Sequence, residues 1–195
     1  MKYNPLIHHR RSIRLKDYDY SKTGAYFITI CCEDRLHRFG KVSGNEMILN
    51  KLGVIAYNEW INLSERFVNF ELDVFQIMPN HMHGIIVLSD VGATLAVAQE
   101  ENENKDLIIS DSSNQKLDRA TARVAPTIAD IVGAYKSIVS NECLKIYKSQ
   151  NKSMGKLWQR NYYEHIMRDE NAYYNISNYI INNPKKWDED KFHTQ

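Results

Sequence analysis

Two pairs of residues in this chain have types and spacing that could do chemistry together: His81 with His83, and Tyr179 with Asn183. Residues i and i+2 of a strand point to one face, so the two imidazoles would stand side by side and could share one divalent cation. Residues four apart on a helix share a face, one turn apart, so Tyr179 would present its phenol beside the Asn183 amide. Each pair also has a plain reading, as surface histidines beside a turn and as a core tyrosine ahead of a helix stop at Asn183-Pro184. A phenol with a pKa of about 10 is a poor nucleophile at neutral pH. A cation that polarises a phosphate, and a positive field that favours phenolate, would remedy this. The reaction then within reach is attack on a DNA phosphate to give a phosphotyrosine, which keeps the bond energy and lets the strand be rejoined without ATP.

The elements that must position these residues follow from periodicity. Residues 26–32, Tyr-Phe-Ile-Thr-Ile-Cys-Cys, are rich in β-formers and predict a strand. Residues 46–49 could form a short second strand. Leu52, Ile55, Ala56, Trp60, Leu63 and Phe67 recur at helical spacing. Residues 70–78 and 81–88 read as two strands joined at the Pro79-Asn80 turn, so the histidine pair falls at the rigid start of the second. Pro126-Thr127 opens an amphipathic helix with Ile128, Ile131, Val132, Tyr135, Ile138 and Val139 on one stripe. Residues 157–167 are aromatic-rich and read as extended. Asp169-Glu170 begin a last helix, where acids suit the helix dipole; it carries Tyr173, Ile176, Tyr179 and Ile180 and ends by Pro184. The order strand, helix, hairpin, helix, strand, helix predicts an α+β, ferredoxin-like (RRM-like) antiparallel sheet with helices packed on one face.

Composition narrows the class. The chain has 195 residues, 43% of them apolar, which suits one globular domain with a sizeable core. No apolar run is long enough for a transmembrane helix. Residues 1–11 lack the apolar core of a signal peptide. Three cysteines, Cys31, Cys32 and Cys143, make no disulfide framework, and a reduced cytoplasm is the simplest expectation. The net charge of +1 hides an uneven distribution: residues 8–16 contain Arg10, Arg11, Arg14 and Lys16 with no acid, and seven Lys or Arg face two Glu between Lys136 and Arg168. Such local basic surface can bind a phosphate backbone, or can be solvated helix faces. Residues 1–24 read as a basic arm. Residues 89–125, polar and acidic, read as a flexible insertion.

Several segments together resemble a known family. Met78-Pro-Asn-His-Met-His-Gly84 ahead of an apolar strand is similar to the histidine–hydrophobe–histidine signature of the HUH endonucleases. Trp158-Gln-Arg-Asn-Tyr-Tyr-Glu-His-Ile-Met-Arg-Asp-Glu170, followed by Asn178-Tyr-Ile-Ile-Asn-Asn-Pro184, resembles the C-terminal part of the REP-associated tyrosine transposases. Arg10-Arg-Ser-Ile-Arg14, Tyr18-Asp-Tyr20 and residues 24–31 resemble their N-terminal part. The motifs are short, but their order and spacing cover most of the chain outside the insertion. The resemblance implies His81 and His83 as paired ligands of Mg²⁺ or Mn²⁺, Asn183 as a third ligand, and Tyr179 on the C-terminal helix as the nucleophile. It implies single-stranded or hairpin DNA as partner, a 5′-phosphotyrosine intermediate, a monomer or homodimer, no membrane, and a cytoplasmic, nucleoid-associated place of action.

Beyond this set, Lys136, Arg160 and Arg168 are candidate phosphate contacts beside Arg10, Arg11 and Arg14. Tyr162, Tyr163, Tyr173 and Tyr174 are rival nucleophiles. Tyr162 and Tyr163 could stack on unpaired bases or be ordinary sheet residues. His165 could approach the metal or DNA, or be structural. Two other functions stay open: a domesticated DNA-hairpin-binding protein without cleavage activity, and a metal-dependent phosphodiesterase that uses water.

Overall fold

A computed structural model describes residues 23–67, 69–89 and 126–193. Apart from their innermost residues, the basic arm and the expected insertion lie outside the described residues, and Arg10, Arg11 and Arg14 with them.

The described residues contain six strands and three α-helices. In chain order they are β1 (Gly24–Cys31), β2 (Gly40–Ser43), β3 (Glu46–Leu49), α1 (Lys51–Ile61), β4 (Phe70–Ile77), β5 (His81–Leu88), α2 (Ile128–Ser149), β6 (Tyr163–Met167) and α3 (Glu170–Asn182). Four strands form one antiparallel sheet in the order β4-β5-β1-β6. That order, with helices in the crossovers, is the ferredoxin-like arrangement expected from the sequence. The β2–β3 hairpin is a separate two-stranded ribbon turning at Gly44 and Asn45, whose φ of 61° and 65° are the positive values a tight two-residue turn needs.

Helix starts are set by their first residues. The Asn50 side chain accepts from Leu52 and Gly53 N–H at the head of α1. Thr127 and Asp130 close a reciprocal capping box on α2. Asp169 accepts from Ala172 N–H on α3. Pro184, with no N–H to donate, follows where α3 gives way to a 3-10 turn over Pro184–Glu189.

The strand period divides the sheet into two faces. Tyr26, Ile28 and Ile30 of β1 with Met82, Ile86 and Leu88 of β5 face one way, into a core completed by Ala56 and Trp60 of α1 and by Ile131, Tyr135 and Val139 of α2. Gly84 belongs to this face: an added Cβ would stand 2.5 Å from the Trp60 ring, so only glycine lets that indole lie against the strand. The opposite face carries Phe27, Ile85 and Val87, and α3 covers it with Tyr173, Ile176 and Ile180. Here the structure departs from the expectation of helices on one face. The two crossover helices share a face, while α3 lies across the other. The physical reason is that β5 is buried on both sides, its burial being nearly continuous from His81 to Leu88, and such a strand needs a cover on each.

Candidate active site

His81 and His83 open β5 on the face that α3 covers, and register with β1 sets Cys31 opposite His81 and Thr29 opposite His83. Both imidazoles are fully buried. Their Nε2 atoms converge to 3.0 Å. Each Nδ1 is held from behind, His81 by Asn80 Oδ1 at 2.8 Å and His83 by Thr29 Oγ1 at 2.8 Å. Asn80 donates its amide to the carbonyls of Phe192 and Arg35, so its oxygen is the acceptor for the His81 Nδ1–H. That bond leaves the lone pair of His81 on Nε2, the arrangement a metal-ligating histidine requires. Burial pushes the His81 pKa down to about 4 and holds His83 well below its ordinary value, so both rings are neutral and able to donate to a cation at neutral pH.

Across from the rings, α3 and the segment after it supply oxygen. The Tyr179 hydroxyl stands 3.1 Å from His83 Nε2 and donates to Asp190 Oδ2 at 2.9 Å. Asn183 is buried, and its Nδ2 donates to the same oxygen at 2.5 Å. Its Oδ1 is buried with no hydrogen-bond partner among the described residues. The other Asp190 oxygen accepts from the Phe192 N–H at 2.6 Å. One ligand atom each from His81, His83 and Asp190 lies within 4.8 Å of the others. Two imidazoles, a carboxylate and an orphaned amide oxygen form a donor set that fits a small divalent cation such as Mg²⁺ or Mn²⁺. Burial, and next the negative charge of Asp190, raise the Tyr179 pKa well above its ordinary value, so the phenol holds its proton while no positive charge offsets the carboxylate.

Asp190 was not foreseen. Nothing in the spacing of residues 81, 83, 179 and 183 points to it. The available signal was an acidic run, Asp188-Glu189-Asp190, shortly after the Pro184 stop. Aromatic rings wall the site: Phe27 lies 5.3 Å from His83, and Phe192 4.8 Å from His81, by ring centroids.

No family model matches the chain. An uncharacterized protein of Haemophilus influenzae is 39% identical over 192 residues, which cover 98% of this chain and 97% of that one. This chain belongs to that protein's family. Among solved structures, a REP-associated tyrosine transposase bound to a REP hairpin is similar, with a TM-score of 0.54 and 17% identity over 91% of this chain and 76% of that chain. The chain has the REP-associated tyrosine transposase fold.

On this transposase fold the remaining candidates separate. Lys136 is half-buried, and its ammonium donates to the carbonyls of Gln159 and Arg160 at 2.7 and 3.0 Å, fastening α2 to the segment that precedes β6. Arg160 and Arg168 are exposed. Among the rival tyrosines, Tyr162 packs against the core of the opposite face and Tyr173 against the α3 cluster. Tyr163 and Tyr174 are exposed. His165 is exposed on β6, opposite Phe27. No membrane-length apolar helix occurs among the described residues.

Proposed function

We infer that the chain is a metal-dependent single-stranded DNA endonuclease and strand transferase, with Tyr179 as nucleophile on DNA next to a hairpin. The observation that carries this reading is the Tyr179 hydroxyl, 3.1 Å from the Nε2 of His83 and beside two converged, neutral imidazoles. His81, His83, Asp190 and the Asn183 amide oxygen would hold the cation, whose positive charge offsets Asp190 and polarises the phosphate.

The protein's own groups account for the rest. Tyr179 Oη forms a bond to phosphorus, and the bond from phosphorus to the 3′-oxygen of the preceding nucleotide breaks. The phenolic proton passes to Asp190 Oδ2, which already accepts it as a hydrogen bond. The departing 3′-oxygen takes up a proton from solvent and leaves as a hydroxyl, while the 5′-phosphate stays on Tyr179. Reversal with a different 3′-hydroxyl gives strand transfer. Arg160 and Arg168, with Arg10, Arg11 and Arg14 of the arm, are assigned to the phosphate backbone. The hairpin in the similar solved structure supports hairpin DNA as the partner to test here.

Labelled hairpin oligonucleotides with single-stranded flanks, incubated with Mn²⁺ and run on a denaturing gel, test the reading. The wild type should give a covalent adduct; Tyr179→Phe should bind DNA and give none. Cleavage by Tyr179→Phe at the normal rate would make water the nucleophile and the protein a phosphodiesterase. Hairpin binding by the wild type with no cleavage under any metal would make it a DNA-hairpin-binding protein.

A further inference from the structure

Residues 162 and 163 are adjacent tyrosines with opposite fates. Tyr162 turns toward the main core and packs against it. Tyr163, at the start of β6, points the other way and is 49% exposed. Its strand is an edge of the sheet, bonded only to β1 among the described residues.

Three features surround this exposed ring. First, a groove of about 250 Å³ is lined by Gln159, Arg160, Asn161, Tyr162 and Tyr163. That is smaller than the sites that hold drug-sized molecules and suits one planar ring system. Two of its side chains are amides, each both donor and acceptor, the chemistry that reads nucleobase edges. Second, the groove shares Gln159 and Arg160 with another of about 390 Å³ that runs past Lys156 and Ser137 beside α2. The Arg160 guanidinium has no ion-pair partner among the described residues, and Lys156 meets Glu33 only at 3.7 Å with its side chain 81% exposed. Third, the opposite end leads to the active site. The Tyr163 ring lies 5.9 Å from Phe192, and Phe192 lies 5.8 Å from His83. Lys191 and Arg35 sit over the Phe192 ring at 4.8 and 5.2 Å.

We propose that this groove is a subsite for an unpaired nucleotide next to the scissile phosphate, with its base stacked on Tyr163, its edge met by Asn161 and Gln159, and its backbone by Arg160. An aromatic platform in a cationic groove is the arrangement that holds single strands. Amide side chains in the same pocket add discrimination between bases. The subsite rests on the DNA reading above and extends it: single-stranded flank is held here, separately from the hairpin.

The test uses the full chain and a hairpin whose single-stranded flank carries 2-aminopurine at successive positions, with fluorescence and affinity read without cleavage in Mg²⁺-free buffer. At one flank position the wild type should quench the base by stacking. Tyr163→Ala should abolish that quench and weaken binding about tenfold, the size of one lost stacking contact. Tyr163→Phe should keep both. Asn161→Ala should keep the quench and narrow the difference in affinity between bases at that position. Flankless hairpin should bind the wild type and Tyr163→Ala equally. Equal quench and affinity in Tyr163→Ala and wild type, with the adduct still forming on Mn²⁺ addition, would overturn the subsite and leave Tyr179 chemistry standing. A wild type that binds neither hairpin nor flank would overturn the DNA reading itself.

Discussion

Tyr179 and Asp190 are joined by a 2.9 Å hydrogen bond that ties the candidate nucleophile to the segment following the last helix. The phenol donates and the carboxylate accepts. The same oxygen also accepts from Asn183, and its twin accepts from the Phe192 N–H. One carboxylate therefore organises the candidate nucleophile, the candidate amide ligand and the turn that follows them. Its charge also helps keep the phenol protonated, behind the larger effect of burial.

Asp190→Ala removes that centre. Three donors lose their acceptor, and Mn²⁺ affinity should fall by more than the roughly tenfold typical of losing an outer partner. Stability should drop by about 1–3 kcal/mol, because the stranded donors are partly buried. Electron paramagnetic resonance of Mn²⁺ titrations and urea unfolding read the two effects. Unchanged Mn²⁺ affinity would leave His81, His83 and Asn183 as the ligand set.

Thr29→Val deletes the hydroxyl that holds His83 Nδ1 at 2.8 Å and keeps nearly the same shape. The imidazole loses its orientation and tautomer lock. Mn²⁺ affinity should fall roughly tenfold, with about 1 kcal/mol lost from stability. An isotherm that overlays the wild type would show that β5 alone aligns the ring.

Gly84→Ala places a methyl 2.5 Å from Cζ2 of the fully buried Trp60. Overpacking against a buried ring should cost about 1–3 kcal/mol. The urea midpoint should drop, and Mn²⁺ binding should weaken because His83 is the adjacent residue. A midpoint equal to that of the wild type would mean that β5 and α1 separate easily.

Cys31 and Cys143 are buried, and burial pushes both thiols from the ordinary 9.0 up to about 11. The folded protein therefore holds these protons more tightly than the unfolded chain. The sign follows: the contribution to stability is complete below about pH 9 and is lost as pH rises toward 11. Urea unfolding at pH 7.5 and pH 10 should show lower stability at the higher pH. A Cys31→Ser, Cys143→Ser chain should show less of that slope; an equal slope would assign the effect to other groups.

The sequence by itself determined what each element contributes. The period of two across residues 81–88 put both histidines on one side of a strand, and one helical turn put Tyr179 and Asn183 together. Thr127 and Asp169 marked helix starts because a cap acts on its own first turn. Of the β2–β3 hairpin only the second strand was expected; the Gly44-Asn45 turn and β2 came from the structure. Tertiary structure decided how the elements met. Periodicity marks which side of an element is apolar, but not which neighbour covers it, so the placement of α3 on the second face of the sheet was not readable. Lys136 counted as a free cation in the sequence, whereas the fold brings two carbonyls from residues 159 and 160 to its ammonium. Asp190 reaches the histidines only because α3 ends before Pro184 and the chain turns through a 3-10 segment back to the histidines. That return has no period of its own, since a carboxylate brought in by an irregular segment leaves no spacing to read.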